Sequence, residues 1–423
     1  MTILGLKEAV VAPLIRGLAR HDLTPGEIAD RFARATWTGV AEPGDRVAGV
    51  LVELLGPVTA LATVVEQWAG DRVLGAIRDS GGEPALIGIE TDDLAKAQER
   101  WRPRIGSQSA LVALRQASRY GVRLLIPGDP VWPTGVDDLG AHAPLALWLR
   151  GRPETLATAA RSIALVGARA ATGYGEHVTM EASAGLVDRG YTIVSGAAYG
   201  IDGMAHRAAL ASSGETVAFL AGGVDRFYPS GHDGLLTRIV EAGAVVSELP
   251  CGSPPTKWRF LQRNRLIAAA SLATIVLEAG WRSGSLNTAG HAAALGRPLG
   301  AVPGPVTSAA SAGCHRLIRD FAAVCVTDAD EMAELAPLHA RPPTGAAAGG
   351  TGVGDDRRAA GAPTESAERT RVIDALSSRS PRSVGDIAAR AGLGVPQVQS
   401  VLGLLSLEGR AASRERGWVL GRE

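Results

Sequence analysis

The sequence predicts an α/β fold built around a doubly wound parallel sheet, with a helical module before the sheet and a winged helix after it. Through the middle of the chain, short apolar runs alternate with helical stretches, which favours parallel strands joined by crossover helices. Only 4% of the residues are aromatic and 53 are Gly, a composition that suits close packing of helices on a sheet. A chain of 423 residues has room for two or three domains.

The alternating part begins at Ser162–Gly167, which we predict to be a buried strand followed by a helix to about Arg189. Another helix is predicted from about Ile201 to Ser212. The remaining predicted strands are Tyr191–Ser195, Thr216–Leu220, Ala244–Ser247, Ala273–Glu278, Leu299–Val302 and Ala323–Val326. Before them, prolines and short apolar runs over Tyr120–Gly151 predict extended edge segments that lead into the sheet.

Composition divides the chain into four parts. Apolar residues recur at helical spacing in the first part, as in Val47, Val50, Leu51 and Leu54. A stretch rich in Pro, Gly, Ala and Thr after the alternating region predicts a flexible linker. The four predicted parts are an N-terminal helical module at 1–105, the α/β domain at 106–338, the linker at 339–364 and a final module at 365–423.

The final module has the spacing of a helix-turn-helix. Ala388 is the small packing residue, Gly392 the turn glycine and Val398 the apolar anchor on the second helix. Helices are predicted at about Glu368–Leu376, Val384–Arg390 and Pro396–Glu408, and a short β-wing at Arg410–Leu420. Together these elements predict a winged helix.

The second helix of this motif contains no Lys or Arg. Base readout commonly uses Arg, Lys, Asn or Gln, which leaves Gln397 and Gln399. The arginines lie on the wing instead, at positions 410, 414 and 416. Protein interaction and weak DNA contact are therefore both open for this module.

Charge and cysteine usage narrow the functional classes. Lys plus Arg number 43 and Asp plus Glu also number 43, so a nucleic-acid site has to be a local concentration of charge. Cys251, Cys314 and Cys325 are too far apart for a metal or redox motif, which indicates buried thiols in a reducing compartment. No signal peptide and no apolar run of about 20 residues is evident. We expect a soluble, cytoplasmic protein without a bound metal.

A glycine-rich loop, Gly167–Gly175, follows the first strand of the alternating part. Its backbone amides, the start of the next helix and Arg169 could hold an anion, and a plain strand-to-helix turn is the alternative. The spacing is not the dinucleotide fingerprint, and no acidic residue follows the second strand at Ser195–Ala198. We therefore expect neither NAD nor any other cofactor.

The helix after the second strand carries Asp202 and His206 at positions i and i+4, on one helical face. The pair could be catalytic. We favour a structural role, with an Asp at the helix start and a His that locks the turn, because no nucleophile lies nearby in the sequence.

The segment Lys257–Arg265 concentrates positive charge. Four cations fall within nine residues without an acidic residue, and Trp258 and Phe260 are interleaved with them. Cations can follow a phosphate backbone, and an aromatic ring gives a sequence-tolerant stacking surface. A solvated basic helix face is the alternative, but such a face gains nothing from the two aromatics.

A second candidate anion site is Ser283–Ala289, which follows a predicted strand and opens a helix. It offers small residues, hydroxyls and free amides at a helix N-terminus.

Taken together, these segments resemble the DNA-processing protein A family, also called Smf. The resemblance covers about Tyr120 to Val326, with the winged helix in the expected place. Seven runs carry it in order: Val166–Arg169, Ser195–His206, Tyr228-Pro229, Ser247-Glu248, Arg263–Ile267, Ser283–Ala289 and Val302–Gly304. The family often has Ser where Ala168 stands and Asn where His232 and His315 stand. The first difference removes a hydroxyl beside the phosphate loop.

The resemblance implies an extended Rossmann-like fold that forms a homodimer, binds single-stranded DNA and helps to load RecA recombinase during natural transformation or recombination. It implies that Arg169, Lys257, Arg263 and Asn287 hold phosphates and that Phe260 stacks on a base. The full predicted nucleic-acid-binding set is Gly167, Arg169, Thr172, Gly173, Lys257, Phe260, Arg263, Asn264, Arg265, Ser283, Gly284, Asn287 and Thr288.

This prediction requires three segments that are remote in sequence to meet at one edge of the sheet as a continuous positive groove. Burial of the 257–265 cations against internal carboxylates would contradict it.

Two other functions are compatible with parts of the sequence. The first is a nucleotide phosphoribohydrolase of the lysine-decarboxylase-like (LOG) type, whose glycine-rich loop resembles Ser283–His291. The catalytic Glu of that loop falls at His291, so we predict no enzymatic activity. The second is a sequence-specific transcription regulator acting through the winged helix, which the uncharged second helix disfavours.

Overall fold

The computed structural model describes residues 2–3, 6–19, 21–338 and 367–421. The predicted linker at 339–364 and the first two residues of the predicted final module lie outside the described residues. Seven helices and a short antiparallel hairpin precede the central sheet: β1 (Thr2–Ile3), β2 (Leu6–Lys7), α1 (Glu8–Ala19), α2 (Pro25–Val40), α3 (Arg46–Val65), α4 (Gly70–Asp79), α5 (Pro84–Ile87), α6 (Thr91–Trp101) and α7 (Ser107–Arg119).

The N-terminal helices are packed onto the sheet rather than detached from it. One continuous core contains Ile15 and Phe32 from the helices together with Trp148 and Ala218 from strands of the sheet. The start of α2 is fixed by a capping box, in which the Thr24 hydroxyl accepts from the amide of Glu27 and the Glu27 carboxylate accepts from the amide of Thr24. A helix start fixed in this way sets the direction in which α2 runs.

By length and composition, α3 is long and apolar enough to cross a membrane. Gly56 has φ 73°, which breaks α3 into two helical segments in front of Pro57. Of the apolar window, 56% is buried inside the protein, and Leu51 and Leu61 pack in one core with Trp37. This packing is that of a core helix.

The central sheet has nine strands in the order β11-β10-β9-β5-β6-β7-β8-β4-β3. Strands β5 to β11 are all parallel, and β4 and β3 add an antiparallel edge. The strands are β3 (Arg123–Leu125), β4 (Leu147–Gly151), β5 (Ser162–Gly167), β6 (Thr192–Ser195), β7 (Thr216–Phe219), β8 (Ala244–Ser247), β9 (Ala273–Glu278), β10 (Leu299–Ala301) and β11 (Val324–Cys325).

Helices cover the sheet and connect its parallel strands, so the prediction of a doubly wound α/β fold is confirmed. The helices are α8 (Pro153–Ala157), α9 (Gly173–Asp188), α10 (Ile201–Ala211), α11 (Asp233–Ala242), α12 (Lys257–Ala270), α13 (Ser285–Ala294), α14 (Ala312–Asp320) and α15 (Ala329–Glu334). Cys251 and Cys314 are buried as expected, whereas Cys325 is exposed because its strand, β11, is the edge strand.

The C-terminal module is a winged helix with its own apolar core, as the sequence predicts. Gly392 has φ 63° and ends the first helix of the helix-turn-helix in the left-handed conformation that glycine favours. Its elements are α16 (Ala367–Ala375), α17 (Val384–Ala391), α18 (Val395–Leu407), β12 (Ala411–Arg414) and β13 (Gly417–Leu420).

The winged helix is docked against the body of the protein. The Asp374 carboxylate accepts from the backbone amide of Lys257 at 2.7 Å, and Arg371 lies over the ring of Trp258 at 5.5 Å. Arg104, just after α6, donates to the carbonyl of Ala389 at 2.6 Å. The domain therefore touches both α12 and the N-terminal helices.

A buried carboxylate lies at this junction. Glu42, just after α2, pairs with Arg104 and also with Arg259 of α12, whose Nη2 is 2.9 Å from Oε1. Burial alone would raise the pKa of Glu42, but the guanidiniums of Arg104 and Arg259 outweigh it and hold the pKa well below its ordinary value. Glu42 therefore remains ionised at neutral pH.

Candidate nucleic-acid interface

The direction of the strand order reverses between β5 and β9. From β5 the chain adds β6, β7 and β8 on one side, and from β9 it adds β10 and β11 on the other. Ligands of open α/β sheets bind at the carboxyl ends of the strands where such a reversal opens a crevice. The loops that follow β5 and β9 therefore line the expected binding position.

The loop after β5 is packed tightly at its base. A Cβ on Gly167 would lie 2.5 Å from Ile201 Cγ1 and 2.8 Å from the carbonyl oxygen of Glu278. The amide of Ala168 donates to that same carbonyl at 2.7 Å. Gly167 is thus required by close packing between neighbouring elements, while Arg169, two residues further on, is exposed.

The start of α9 already holds a carboxylate from the protein itself. Glu278, at the end of β9, accepts from the Thr172 amide at 2.9 Å and from the Thr172 hydroxyl at 2.6 Å. The Thr172 hydroxyl also accepts from the amide of Gly175 at 3.2 Å. Both donors of Thr172, a residue of the predicted nucleic-acid-binding set, are therefore engaged within the protein. Gly173 remains exposed in the same turn.

Two of the four cations in Lys257–Arg265 pair with internal carboxylates. Arg259 bonds to Glu42, and Arg265 donates to both oxygens of Glu248 at 2.7 and 2.8 Å. Arg265 is only 3% exposed. The guanidinium of Arg265, a predicted strand contact, is held inside the protein by Glu248, because α12 is packed on both the sheet and the N-terminal helices.

Arg263 is also buried, at 5% exposure, but against carbonyl groups. Its Nη1 donates to the carbonyls of Gly196 and Phe219, both at 2.6 Å, at the carboxyl ends of β6 and β7. A Cβ on Gly196 would lie 2.1 Å from that nitrogen, so the glycine makes room for the guanidinium. Burial lowers the pKa of Arg263 to about 10, which leaves it charged at neutral pH. Arg263, which the resemblance implies as a phosphate contact, is thus bonded in this structure to main-chain carbonyls of the protein.

The third segment meets α12 through two amides. Asn264 donates to Asn287 Oδ1 at 3.2 Å and more distantly, at 3.4 Å, to the carbonyl of Gly284. Asn264 is 9% exposed and Thr288 is 2% exposed, so both of these predicted strand contacts are buried in this structure. Gly284 is exposed, and Ser283 and Asn287 are half-buried.

The three segments do converge, but they do not form a continuous positive groove. Phe260 links the first two, because the Arg169 guanidinium lies 4.9 Å from its ring centroid and Arg263 lies 5.8 Å from it on α12. Lys257 is exposed one turn earlier on the same helix. The residues of the predicted set that keep accessible surface are Gly167, Arg169, Thr172, Gly173, Lys257, Phe260, Ser283, Gly284 and Asn287.

Asp202 and His206 are both buried in α10. The Asp202 carboxylate accepts from the amide of Ala198 at 3.4 Å, and His206 Nδ1 is 2.7 Å from the Thr216 hydroxyl. Burial raises the pKa of Asp202 against the opposing effect of Arg263, and burial lowers the pKa of His206 to about 3. These contacts fit the structural role expected for the pair.

Sequence reasoning missed the carboxylates that organise this edge. Glu278 and Glu42 carry no local signal, because each acts on residues far away in the sequence. Tyr228 belongs to a motif shared with the family, and no local signal indicates that its ring lies 5.6 Å from that of Phe260. Within the described residues, no group of three or more His, Cys, Asp or Glu side chains could hold a metal ion.

Comparison with known proteins matches this architecture. A family model described as DNA recombination-mediator protein A matches residues 123–337, and a model of the DprA winged helix domain matches residues 356–415. The chain belongs to the DNA-processing protein A family. A putative DNA processing protein DprA of Mycobacterium tuberculosis is 41% identical over 394 residues, which span 90% of this chain and 92% of that protein.

Other members of the DNA-processing protein A family are similar over shorter stretches. The DNA processing protein DprA of Bacillus subtilis is 35% identical over 257 residues, covering 60% of this chain and 84% of the relative. The X-ray structure of DNA processing protein A from Streptococcus pneumoniae superposes with a TM-score of 0.54 at 28% identity, covering 74% of this chain and 98% of that chain.

Proposed function

We propose that this DNA-processing protein binds single-stranded DNA with tolerance for sequence, without cutting it. The observation that carries the proposal is the pairing of exposed Arg169 with the ring of Phe260, at the point where the loop after β5 meets α12. A cation beside an aromatic ring suits a flexible strand, because the cation holds a phosphate and the ring stacks on any base. Duplex DNA keeps its bases stacked inside and offers the ring nothing.

The burial of Arg259 and Arg265 reduces the number of cations available to the strand. The predicted strand contacts are therefore Arg169 and Lys257 for phosphates and Phe260 for a base. Gly173, Gly284, Ser283 and Asn287 provide additional donors near the carboxyl ends of β5 and β9. With so few cations, we expect affinity to depend only weakly on salt. For a single strand, the logarithm of the binding constant falls by roughly 0.7 per phosphate contact for each tenfold increase in salt concentration.

The decisive experiment is a salt titration of binding to oligo-dT and to a duplex of equal length. Arg169→Ala and Lys257→Ala should each weaken oligo-dT binding and flatten the salt slope, because each removes a phosphate contact. Phe260→Leu should weaken binding without changing the slope. Arg16→Ala is the matched control, since this exposed arginine lies on α1, which packs against the edge strand β3. Parent-like binding by the Arg169 and Lys257 variants would refute the proposed site.

We further propose that the protein acts as a cytoplasmic homodimer and helps to load RecA recombinase during natural transformation or recombination. Membership of the DNA-processing protein A family supports this part of the proposal. It is tested by RecA-dependent ATP hydrolysis on single strands coated with single-strand-binding protein, with and without this protein. Sedimentation measures the oligomeric state. An unchanged lag before RecA activity would contradict the loading role.

The protein is also proposed to have no catalytic activity and no cofactor. The position of the catalytic Glu in phosphoribohydrolase loops is His291 here, and the buried pair Asp202 and His206 is engaged internally. Incubation with nucleoside monophosphates should release no free base. Release of base at a rate that depends on protein concentration would overturn this part.

A further inference from the structure

Two tyrosines are exposed beside the Arg169–Phe260 pair. Tyr199 follows β6 and is 49% exposed, and Tyr228 follows β7 and is 51% exposed. A tyrosine that served only the core would be buried, whereas about half of the surface of each of these residues faces solvent. We refer to Tyr199 and Tyr228 as the tyrosine shelf.

Both tyrosines are held in place by neighbouring rings. Tyr228 contacts Phe260 with ring centroids 5.6 Å apart and planes tilted by 53°. Tyr199 stands edge-on to His232 at 4.9 Å, and a Cβ on Gly231 would lie 2.7 Å from its hydroxyl oxygen. His232 itself is fixed, because its Nδ1 lies 3.0 Å from the carbonyl oxygen of Ala197. Each tyrosine ring thus packs against a neighbouring ring, and this packing lowers the entropic cost of stacking a base on it.

The shelf is continuous with the proposed strand site on both sides. The amide of Ile201 donates to the carbonyl of Ala168 at 3.1 Å, and a Cβ on Gly200 would lie 2.5 Å from the carbonyl oxygen of Arg169. Tyr199 thus comes from a loop that packs directly on the Arg169 loop. Tyr228 adjoins the proposed strand site through the contact of its ring with that of Phe260.

We propose that Tyr199 and Tyr228 stack on successive bases and extend the strand site beyond Phe260. This proposal rests on the proposed function and adds the base-contacting residues on the β6–β7 side. Nucleobases are the favoured occupant, because the shelf adjoins the exposed cation Arg169 and aromatics interleaved with cations are typical of single-strand sites. The contact between Tyr228 and Phe260 makes one surface rather than a slot, so bases lie on the rings and not between them.

The test measures binding of oligo-dT and of an abasic strand of equal length by fluorescence anisotropy. Tyr228→Ala and Tyr199→Ala should each weaken oligo-dT binding by about 5- to 140-fold, the factor that corresponds to one lost stacking contact. Neither variant should change binding of the abasic strand or the salt slope. Tyr228→Phe should bind oligo-dT within about twofold of the parent, since the ring is kept.

Trp68→Ala is the matched control, because it removes an aromatic ring paired with Arg72 in the N-terminal helices, at 3.7 Å from the guanidinium. Melting temperatures identify variants that lose structure, and Tyr228→Trp gives a second readout that needs no truncation. Its fluorescence should be quenched by saturating oligo-dT.

Three results would overturn the shelf: parent-like binding of oligo-dT by both alanine variants, equal losses on oligo-dT and abasic strands, or no quenching of the Tyr228→Trp protein. Failure of the proposed function is recognised separately, because the parent would then show no preference for single strands over duplex. Parent preference with inert tyrosine variants would reject the shelf alone.

Discussion

Mild acid is expected to destabilise the protein through His206. Its ring is fully buried in α10, and the Thr216 hydroxyl, which already donates to the carbonyl of Ile193, can only accept from Nδ1. The neutral ring is therefore protonated at Nδ1. Among the described residues, Nε2 has no hydrogen-bond partner, so a second proton would be buried without an acceptor.

The magnitude follows from the two pKa values. Burial lowers the pKa of His206 from 6.5 to about 3 in the folded state. Because the pKa of His206 is lower in the folded than in the unfolded state, the neutral ring contributes fully to the free energy of unfolding above pH 6.5. This contribution is lost progressively as the pH falls from 6.5 toward 3. At about pH 5 the unfolded state has gained nearly one proton that the folded state has not, which costs about 2 kcal/mol of stability.

The assay is urea unfolding of the parent and of His206→Asn at about pH 7.5 and pH 5. The asparagine amide can keep the bond to Thr216 but does not titrate. The loss of unfolding free energy between the two pH values should therefore be about 2 kcal/mol smaller in the variant. Asp202, whose pKa is raised by burial, acts with the opposite sign in both proteins, and its effect cancels in the comparison. Equal losses in parent and variant would refute the reasoning.

Two further predictions concern buried ion pairs. Glu42→Ala should lower the free energy of unfolding by roughly 3–5 kcal/mol, measured by urea denaturation, because Arg104 and Arg259 are left buried without their counter-ion. Arg265→Met should destabilise the protein by a similar amount through Glu248, while the salt slope of strand binding stays at the parent value.

Asp92→Asn is the control for both, because the Lys96–Asp92 pair is exposed, with side-chain exposures of 62% and 81%, and should change stability by less than about 1 kcal/mol. A Glu42 variant as stable as this control would show that the ion pairs of Glu42 contribute nothing to the free energy of unfolding. A flatter salt slope in Arg265→Met would show that this arginine reaches the strand.

Much of the fold could be predicted because its signals are local. Strands such as Ala244–Ser247 and Ala273–Glu278 are short apolar runs between helical stretches, and their bounds are confirmed to the residue. The edge strand was predicted as Ala323–Val326 and is shorter, Val324–Cys325, because only β10 pairs with it.

The site could be predicted only in part. The three predicted segments meet because the strands before them are parallel, and parallel strands have their carboxyl ends at the same edge of the sheet. Whether a cation faces solvent depends on partners that are remote in sequence. Here Arg259 pairs with Glu42 and Arg265 pairs with Glu248 inside the protein. Local charge density cannot separate a cation that is free from one that is paired.

The bond between Asp374 and the amide of Lys257 places the winged helix directly beside the Lys257 end of the proposed strand site. On the proposed function, a strand that reaches Lys257 meets the flank of α16 immediately beyond it. The docked winged helix would then limit the number of nucleotides bound at this end, and the bound length would increase only if that domain moved away.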